Sequence, residues 1–344
     1  MNQLRKYVPL CCLVLFAGLL GARPTIAGPS YSEVIGQTQP KIVKIYGAGG
    51  FRGLESYQSG FLISPDGHIV TVFSYVLDST VIRVVLDDGR GYEAKLLGAD
   101  PTLEVAVLKI DAEAVIPFDL DEASEAAPGD RVLAFSNLYG VATGNEPASV
   151  QRGVISAITE LDARKGVYKT PFRGKVYVTD AITNNPGAAG GALTDHQGRL
   201  LGMLGKELKN ASTSTWLNYT VPVAVMREAI DDIKAGKVRS RQDDDLSARN
   251  PLKLADVGLV LVPNVVENTP PFVDGVLLGS PAAEAGIAAD DLLLFIDQAL
   301  VRNWNDVAAE LRHIENTEQI QVTVMRGQDF KTFTLQAPLE KITP

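Results

Sequence analysis

The sequence predicts a mainly β protein of two folded domains, and three observations carry that expectation. Short apolar runs recur along the chain and are separated by Gly, Pro, Asp and Asn. The 31 glycines and 19 prolines are scattered, which favours a turn-rich barrel or sandwich over a helical bundle. The 344 residues exceed one domain of about 150.

Composition narrows the function classes. Hydrophobic residues make up 46% and charged residues 21%, which fits a packed chain. The 32 basic and 41 acidic residues give a net charge of −9, and no basic run stands out, so nucleic acid is not an expected partner. Residues 1–27 read as a secretory signal peptide: Arg5 and Lys6, an apolar stretch from Val8 to Leu20, then Thr25-Ile26-Ala27 before a cut. The apolar run is shorter than the ~20 residues of a spanning helix, although a retained anchor is the rival reading. No later stretch is long and apolar enough to span a bilayer. Cys11 and Cys12 are the only cysteines, and both lie in this leader. The mature chain therefore has no disulfide and no thiolate nucleophile, and its three histidines make a zinc site improbable. No metal and no cofactor are expected.

The first mature segment, to about Asp111, alternates strands and tight turns. Lys41–Tyr46 is a strand. Gly60–Ile63 and His68–Thr71 flank Ser64-Pro65-Asp66-Gly67, where Pro65 presets φ and Asp66-Gly67 reverses the chain. Val81–Leu86 and Tyr92–Leu97 form a second hairpin, and Val105–Ile110 follows. Arg131–Phe135, Gly153–Ile158, Lys175–Val178, Arg199–Met203 and Trp216–Val221 continue the β pattern. Trp216, Tyr219 and Phe61 are expected in the core. Val223–Ala235 is the first clear helix, from Val225, Met226, Ala229, Ile230 and Ile233 at helical spacing. Lys237–Asn250 is polar and reads as a linker.

A separate module follows. Strands Gly258–Val262 and Gly275–Leu278 precede a short helix with Ser280 as N-cap, Pro281 at its first position and Gly286 at its end. Asp291–Ile296 is a strand, Asn305–Ile314 a helix, and Ile320–Met325 with Phe330–Leu335 a closing hairpin. Gly47–Gly53 fails the spacing of a phosphate loop. Asn210-Ala-Ser and Asn218-Tyr-Thr fit the N-glycosylation pattern, which matters only in a eukaryotic secretory route.

The block Thr179-Asp-Ala-Ile-Thr-Asn-Asn-Pro-Gly-Ala-Ala-Gly-Gly-Ala-Leu193 places glycines between two strands. Such a segment bends sharply and turns N–H groups toward one point, as an oxyanion hole requires. A serine hydrolase would carry its nucleophile there, and this chain carries Ala188 and Ala189.

On these residues the chain resembles the HtrA/Deg family of secreted trypsin-like serine proteases with a C-terminal PDZ module. The family's Gly-Asn-Ser-Gly-Gly-Ala-Leu resembles Gly187–Leu193, so the nucleophile falls on Ala189. Its Thr-Asn-Asn-His-Val-Val resembles Thr71–Val76, so the base falls on Ser74. Its Asp-Pro-x-x-Asp segment resembles Asp100–Ala106, so the acid falls on Glu104. Pro128–Asn137, Gly153–Ser156 and Asn218–Pro222 match further segments, and Gly279–Gly286 followed by Asp290–Leu294 looks like a PDZ domain. The resemblance implies a double β-barrel over 28–236, a linker over 237–253 and a PDZ domain over 254–340. It also implies trimers through N-terminal aromatics, for which Tyr31 is the candidate.

The degenerate positions Ser74, Glu104 and Ala189 imply a protein that does not cut. A serine hydroxyl is no base near neutral pH, and alanine has no nucleophile. Loss of a triad member leaves ~10³–10⁴-fold catalysis over water. His68, His196 and His313 are expected at the surface rather than as a replacement base. What remains is binding. Gly187, Ala188 and Gly190 would form a vestigial oxyanion loop. Val257, Gly258, Leu259 and Val260 would take unfolded or C-terminal peptides as an added strand. Expected partners are such peptides, copies of the chain or active relatives, in the periplasm or outside the cell. The alternative is an active endopeptidase with a relocated nucleophile.

Overall fold

The computed structural model describes residues 29–49, 55–162, 172–185, 187–206, 208–209, 216–237, 248–265, 269–297 and 299–338. The leader, the Gly50–Gly53 part of the glycine loop, Asn210 and Asp243–Asp245 lie outside them.

The described residues open on helix α1 (Tyr31–Thr38), which the strand pattern did not predict. Ser30 accepts from Glu33 N, and the Glu33 carboxylate accepts from Ser30 N at 2.7 Å, a reciprocal cap that satisfies two end donors. Tyr31 has Arg152 over its ring at 5.5 Å.

Six strands then close a barrel: β1 (Ile42–Tyr46), β2 (Tyr57–Leu62), β3 (His68–Val72), β4 (Ile82–Val85), β5 (Gly91–Asp100) and β6 (Val105–Lys109), in the order β1-β2-β3-β6-β5-β4. Closure removes free edges. The expected Pro65-Asp66-Gly67 turn joins β2 and β3, with Gly67 at φ 89°. Strand β1 is buried on both faces, because Lys44 is also inside. Its ammonium donates to the carbonyls of Gly144 at 2.7 Å and Glu146 at 2.9 Å, which ties the first barrel to the second.

The second barrel uses β7 (Arg131–Ser136), β8 (Ser149–Asp162), β9 (Arg173–Thr179), β10 (Ala192–Asp195), β11 (Leu200–Leu204) and β14 (Tyr219–Pro222), with a small hairpin of β12 (Leu208–Lys209) and β13 (Trp216–Leu217) beside it. Helix α2 (Val223–Lys234) leaves β14 directly and buries Val223, Met226, Ala229, Ile230 and Ile233. Phe61 and Tyr219 are core residues, as expected, whereas Trp216 is 42% exposed; in its two-stranded pair it is the paired Leu208 and Leu217 that face the core.

The C-terminal module has its own core, including Val257, Leu293, Val307 and Val322. It contains α3 (Leu254–Val257), β15 (Leu259–Leu261), β16 (Val273–Val276), α4 (Pro281–Ala285), β17 (Leu292–Ile296), β18 (Ala299–Leu300), α5 (Trp304–Leu311), β19 (Gln319–Arg326) and β20 (Asp329–Gln336). Strand β15 pairs with β16, and a second sheet runs β18-β17-β19-β20. Ser280 and Gly286 cap α4 as the sequence predicts. Among the described residues no helix is long and apolar enough to cross a membrane, which says nothing of β-barrel insertion.

Candidate functional site

The cleft is built where the two barrels touch through their loops. The turn after Asn185 is fixed by steric demand. Gly187 sits at φ 84°, and a Cβ there would stand 2.2 Å from Asn137 O. Gly190 sits at φ 83°, and a Cβ there would stand 2.3 Å from Ser59 O. Only glycine fits such positions without displacing backbone.

The backbone donors of this turn sort into two sets. Ala188 N donates to Asn185 O at 3.1 Å, Gly190 N to Leu204 O at 2.9 Å and Gly191 N to Ala188 O at 3.0 Å. The N–H groups of Gly187 and Ala189 take no acceptor among the described residues. Ser59, on β2 of the other barrel, locks the turn. It is fully buried; its N donates to Ala189 O at 3.0 Å, its hydroxyl donates to Gly187 O, and it accepts from Asn137 N at 2.8 Å. With those carbonyls held inward, the two unmatched N–H groups remain for a ligand.

Ser74 lies at the end of the segment after β3 and caps a short 3-10 helix, Tyr75–Leu77, by accepting from Val76 N at 3.1 Å. Its hydroxyl donates to Gln58 Oε1. The Gln58 amide is buried and donates to Thr71 Oγ1 at 2.7 Å and Val72 O at 2.9 Å. Ser74 is thus held by a neutral amide, not by an acid or a base.

Glu104 ends the turn between β5 and β6. Phe73 N donates to its carbonyl at 2.8 Å, so Ser74 and Glu104 are brought to one place. Glu104 is 3% exposed and holds φ 51°, a costly conformation for a residue with a side chain. Its Oε1 accepts from Lys206 Nζ at 2.8 Å, and its Oε2 accepts from Tyr219 Oη at 3.4 Å. Gly205 N donates to Tyr219 O at 2.9 Å, which places Lys206 beside that tyrosine.

Three residues in this cleft were not singled out from sequence: Gln58, Ser59 and Lys206. The signal was a polar pair inside an apolar strand and a lysine at a strand end, and neither is specific. The histidines are all elsewhere. His68 pairs with Asp66 at 3.0 Å and Ser64 at 2.9 Å at the start of β3, and His196 lies in the turn after β10. His313 is 3% exposed, so the surface expectation fails for it; it lies just past α5, packed in the C-terminal module. Among the described residues no group of three His, Cys, Asp or Glu side chains could hold a metal.

The peptide-binding candidates of the second module fall on one short stretch. Val257 and Leu259 are buried, and Val260 is 42% exposed. Val257 ends α3, and the strand expected from Gly258 begins at Leu259. Gly258 caps the helix at φ 80°, its N–H donates to Ala255 O at 3.1 Å, and its carbonyl accepts from Leu277 N at 2.9 Å.

Two closed barrels with this cleft between them, followed by a β-rich capped module, define a trypsin-like peptidase fold joined to a PDZ domain. Residues 58–203 match the trypsin-like peptidase domain family, and residues 247–325 match the PDZ domain family. The chain is a homologue of the HtrA/DegP serine endoproteases. It is 29% identical over 272 residues to a probable periplasmic serine endoprotease DegP-like of Brucella suis, covering 78% of this chain and 50% of that protein. It is 30% identical over 243 residues to the DegP-like protein of Chlamydia trachomatis, covering 69% and 44%. The chain spans about half the length of these curated relatives. A solved structure of a serine-to-alanine variant of the HtrA-type protease AlgW with a tripeptide shares the fold. Its TM-score is 0.51 at 24% identity, over 90% of this chain and 97% of that one.

Proposed function

We propose that this chain is an exported HtrA-like protein that binds peptides without cutting them, acting as a chaperone-like or scaffolding component of the cell envelope. One observation carries the reading. The positions that resemble the triad hold Ser74, Glu104 and Ala189, and the Glu104 carboxylate is joined to the Lys206 ammonium rather than to an imidazole. Among the described residues no general base is bonded to Ser74, whose hydroxyl meets Gln58 and Val76 N. The names of the relatives support a periplasmic address, in line with the leader over 1–27.

Peptide capture by the PDZ module rests on the 257–260 stretch, where β15 follows a buried anchor and presents Val260 to solvent. The test is direct. Purified protein should not turn over unfolded casein and should not be labelled by a fluorophosphonate. Labelling that is abolished by changing one serine of this chain would establish the alternative, an endopeptidase with a relocated nucleophile.

A further inference from the structure

We infer that the turn at Gly187–Ala189 is a receptor for the C-terminal carboxylate of a peptide. The inference rests on the proposed non-cutting role and names the ligand group the cleft takes.

Of the five N–H groups from Gly187 to Gly191, those of Ala188, Gly190 and Gly191 are satisfied within the fold. Those of Gly187 and Ala189 are not matched among the described residues. Ser59, from the opposite barrel, holds the Gly187 and Ala189 carbonyls, and Gly191 N holds that of Ala188, so the backbone carrying the pair is fixed. Two donors with no acceptor among the described residues favour a charged oxygen over a neutral carbonyl, because hydrogen bonds to an oxyanion are about twice as strong.

In a working hydrolase that charge exists only after a nucleophile has added to the carbonyl. Ala189 carries a methyl group, and no hydroxyl projects from the turn. The substrate's own carbonyl therefore never acquires the charge. The group of an unmodified peptide backbone that brings an oxyanion ready-made is its terminal carboxylate.

The neighbouring charges permit this. Glu104 would repel a second carboxylate, yet its charge is met by Lys206 at 2.8 Å, and Tyr219 Oη donates to its other oxygen. Ser74 and Gln58 add neutral polar groups to the same wall.

The test is an amide-resolved NMR titration of the purified full chain. The probes are an N-acetylated apolar heptapeptide with a free C-terminus and the same peptide as its C-terminal amide. The free acid is expected to move the Gly187 and Ala189 amide resonances and to bind there about tenfold more tightly than the amide form. Ala189→Asp, which places a carboxylate of its own over the turn, should abolish the shifts at Gly187. The amides of Gly258 and Leu259 in the same spectra report that this variant is folded. Equal shifts from both peptides would overturn the inference. Shifts confined to Gly258–Val260 would also overturn it while leaving peptide binding by the PDZ module intact. No shift in either place would remove the proposed binding function as well.

Discussion

Lys206 Nζ stands 2.8 Å from Glu104 Oε1, across 102 residues of sequence. The carboxylate side chain is 4% exposed and the lysine side chain 28%. The acid of the cleft is therefore half of an ion pair that holds the two barrels together. Removing the lysine alone takes the ammonium at 2.8 Å from a buried carboxylate, which costs about 3 kcal/mol. Lys206→Met should lower the urea midpoint accordingly, and Lys206→Met with Glu104→Gln should recover most of the loss. A single variant that loses less than about 0.5 kcal/mol would mean the pair behaves as a surface contact.

The strand framework was legible because it is local. Pro65-Asp66-Gly67 sets its own turn, and apolar runs mark β3, β6 and β11 without reference to distant residues. Helix α1 carries a local signal in Ser30 and Glu33 at capping-box spacing, but its buried face over eight residues is too short a period to stand out. The turn at Gly187–Gly190 could be read because closely spaced glycines between two strands mark a backbone that must enter the left-handed region. Its partners could not. Ser59 and Lys206 act through contacts 128 and 102 residues apart, and nothing in their immediate neighbours marks them. Lys44 was hidden for a related reason: a lysine in an apolar strand reads as an outward position, yet here its ammonium satisfies two carbonyls of the other barrel.

The PDZ module touches the barrel beside the cleft. Arg302 donates to Asp78 at 3.0 Å, and the rings of Tyr75 and Phe295 meet edge to face at 6.1 Å. Tyr75 and Asp78 belong to the short helix that follows Ser74 and to its cap. An exposed ion pair is worth about 0–1 kcal/mol and an aromatic pair about 0.5–1.5 kcal/mol. Together these two contacts contribute about 0.5–2.5 kcal/mol. Arg302→Ala with Tyr75→Ala should therefore increase the radius of gyration in small-angle scattering, and raising the salt concentration should move the parent chain part of the way. An unchanged radius in the double variant would show that other contacts dock the module.

Within the PDZ module, Asp291 is closed to solvent and receives Arg326 through Nε at 2.6 Å and Nη2 at 2.7 Å, with Ala288 N at 3.0 Å. Burial pushes its carboxyl upward, but the hydrogen bonds from Arg326 and Ala288 outweigh that and hold it below the usual range. Because the folded-state value is depressed, the stabilisation is complete above the unfolded value of about 3.9. It is lost as the pH falls through the folded-state value. Arg326→Gln should cost about 3 kcal/mol at neutral pH, and the gap from the parent chain should shrink steadily below pH ~4. Urea unfolding at a series of pH values checks this, and a gap that does not change with pH would detach it from Asp291.

Returning a hydroxyl to the cleft separates the nucleophile from the base. In Ala189→Ser the new side chain would project from the turn held by Ser59, but the neighbouring Ser74 hydroxyl already donates to Gln58 and accepts from Val76 N. Among the described residues no base meets that hydroxyl, so fluorophosphonate labelling should stay at the level of the parent chain. Ala189→Ser with Ser74→His supplies an imidazole next to Glu104, and labelling should rise about a hundredfold or more over the single variant. The gain should be larger when Lys206 is also changed to Thr, because Glu104 is then released to orient the new imidazole instead of the ammonium. Rapid labelling of Ala189→Ser alone would reveal a base in the cleft and end the reading of this site as silent.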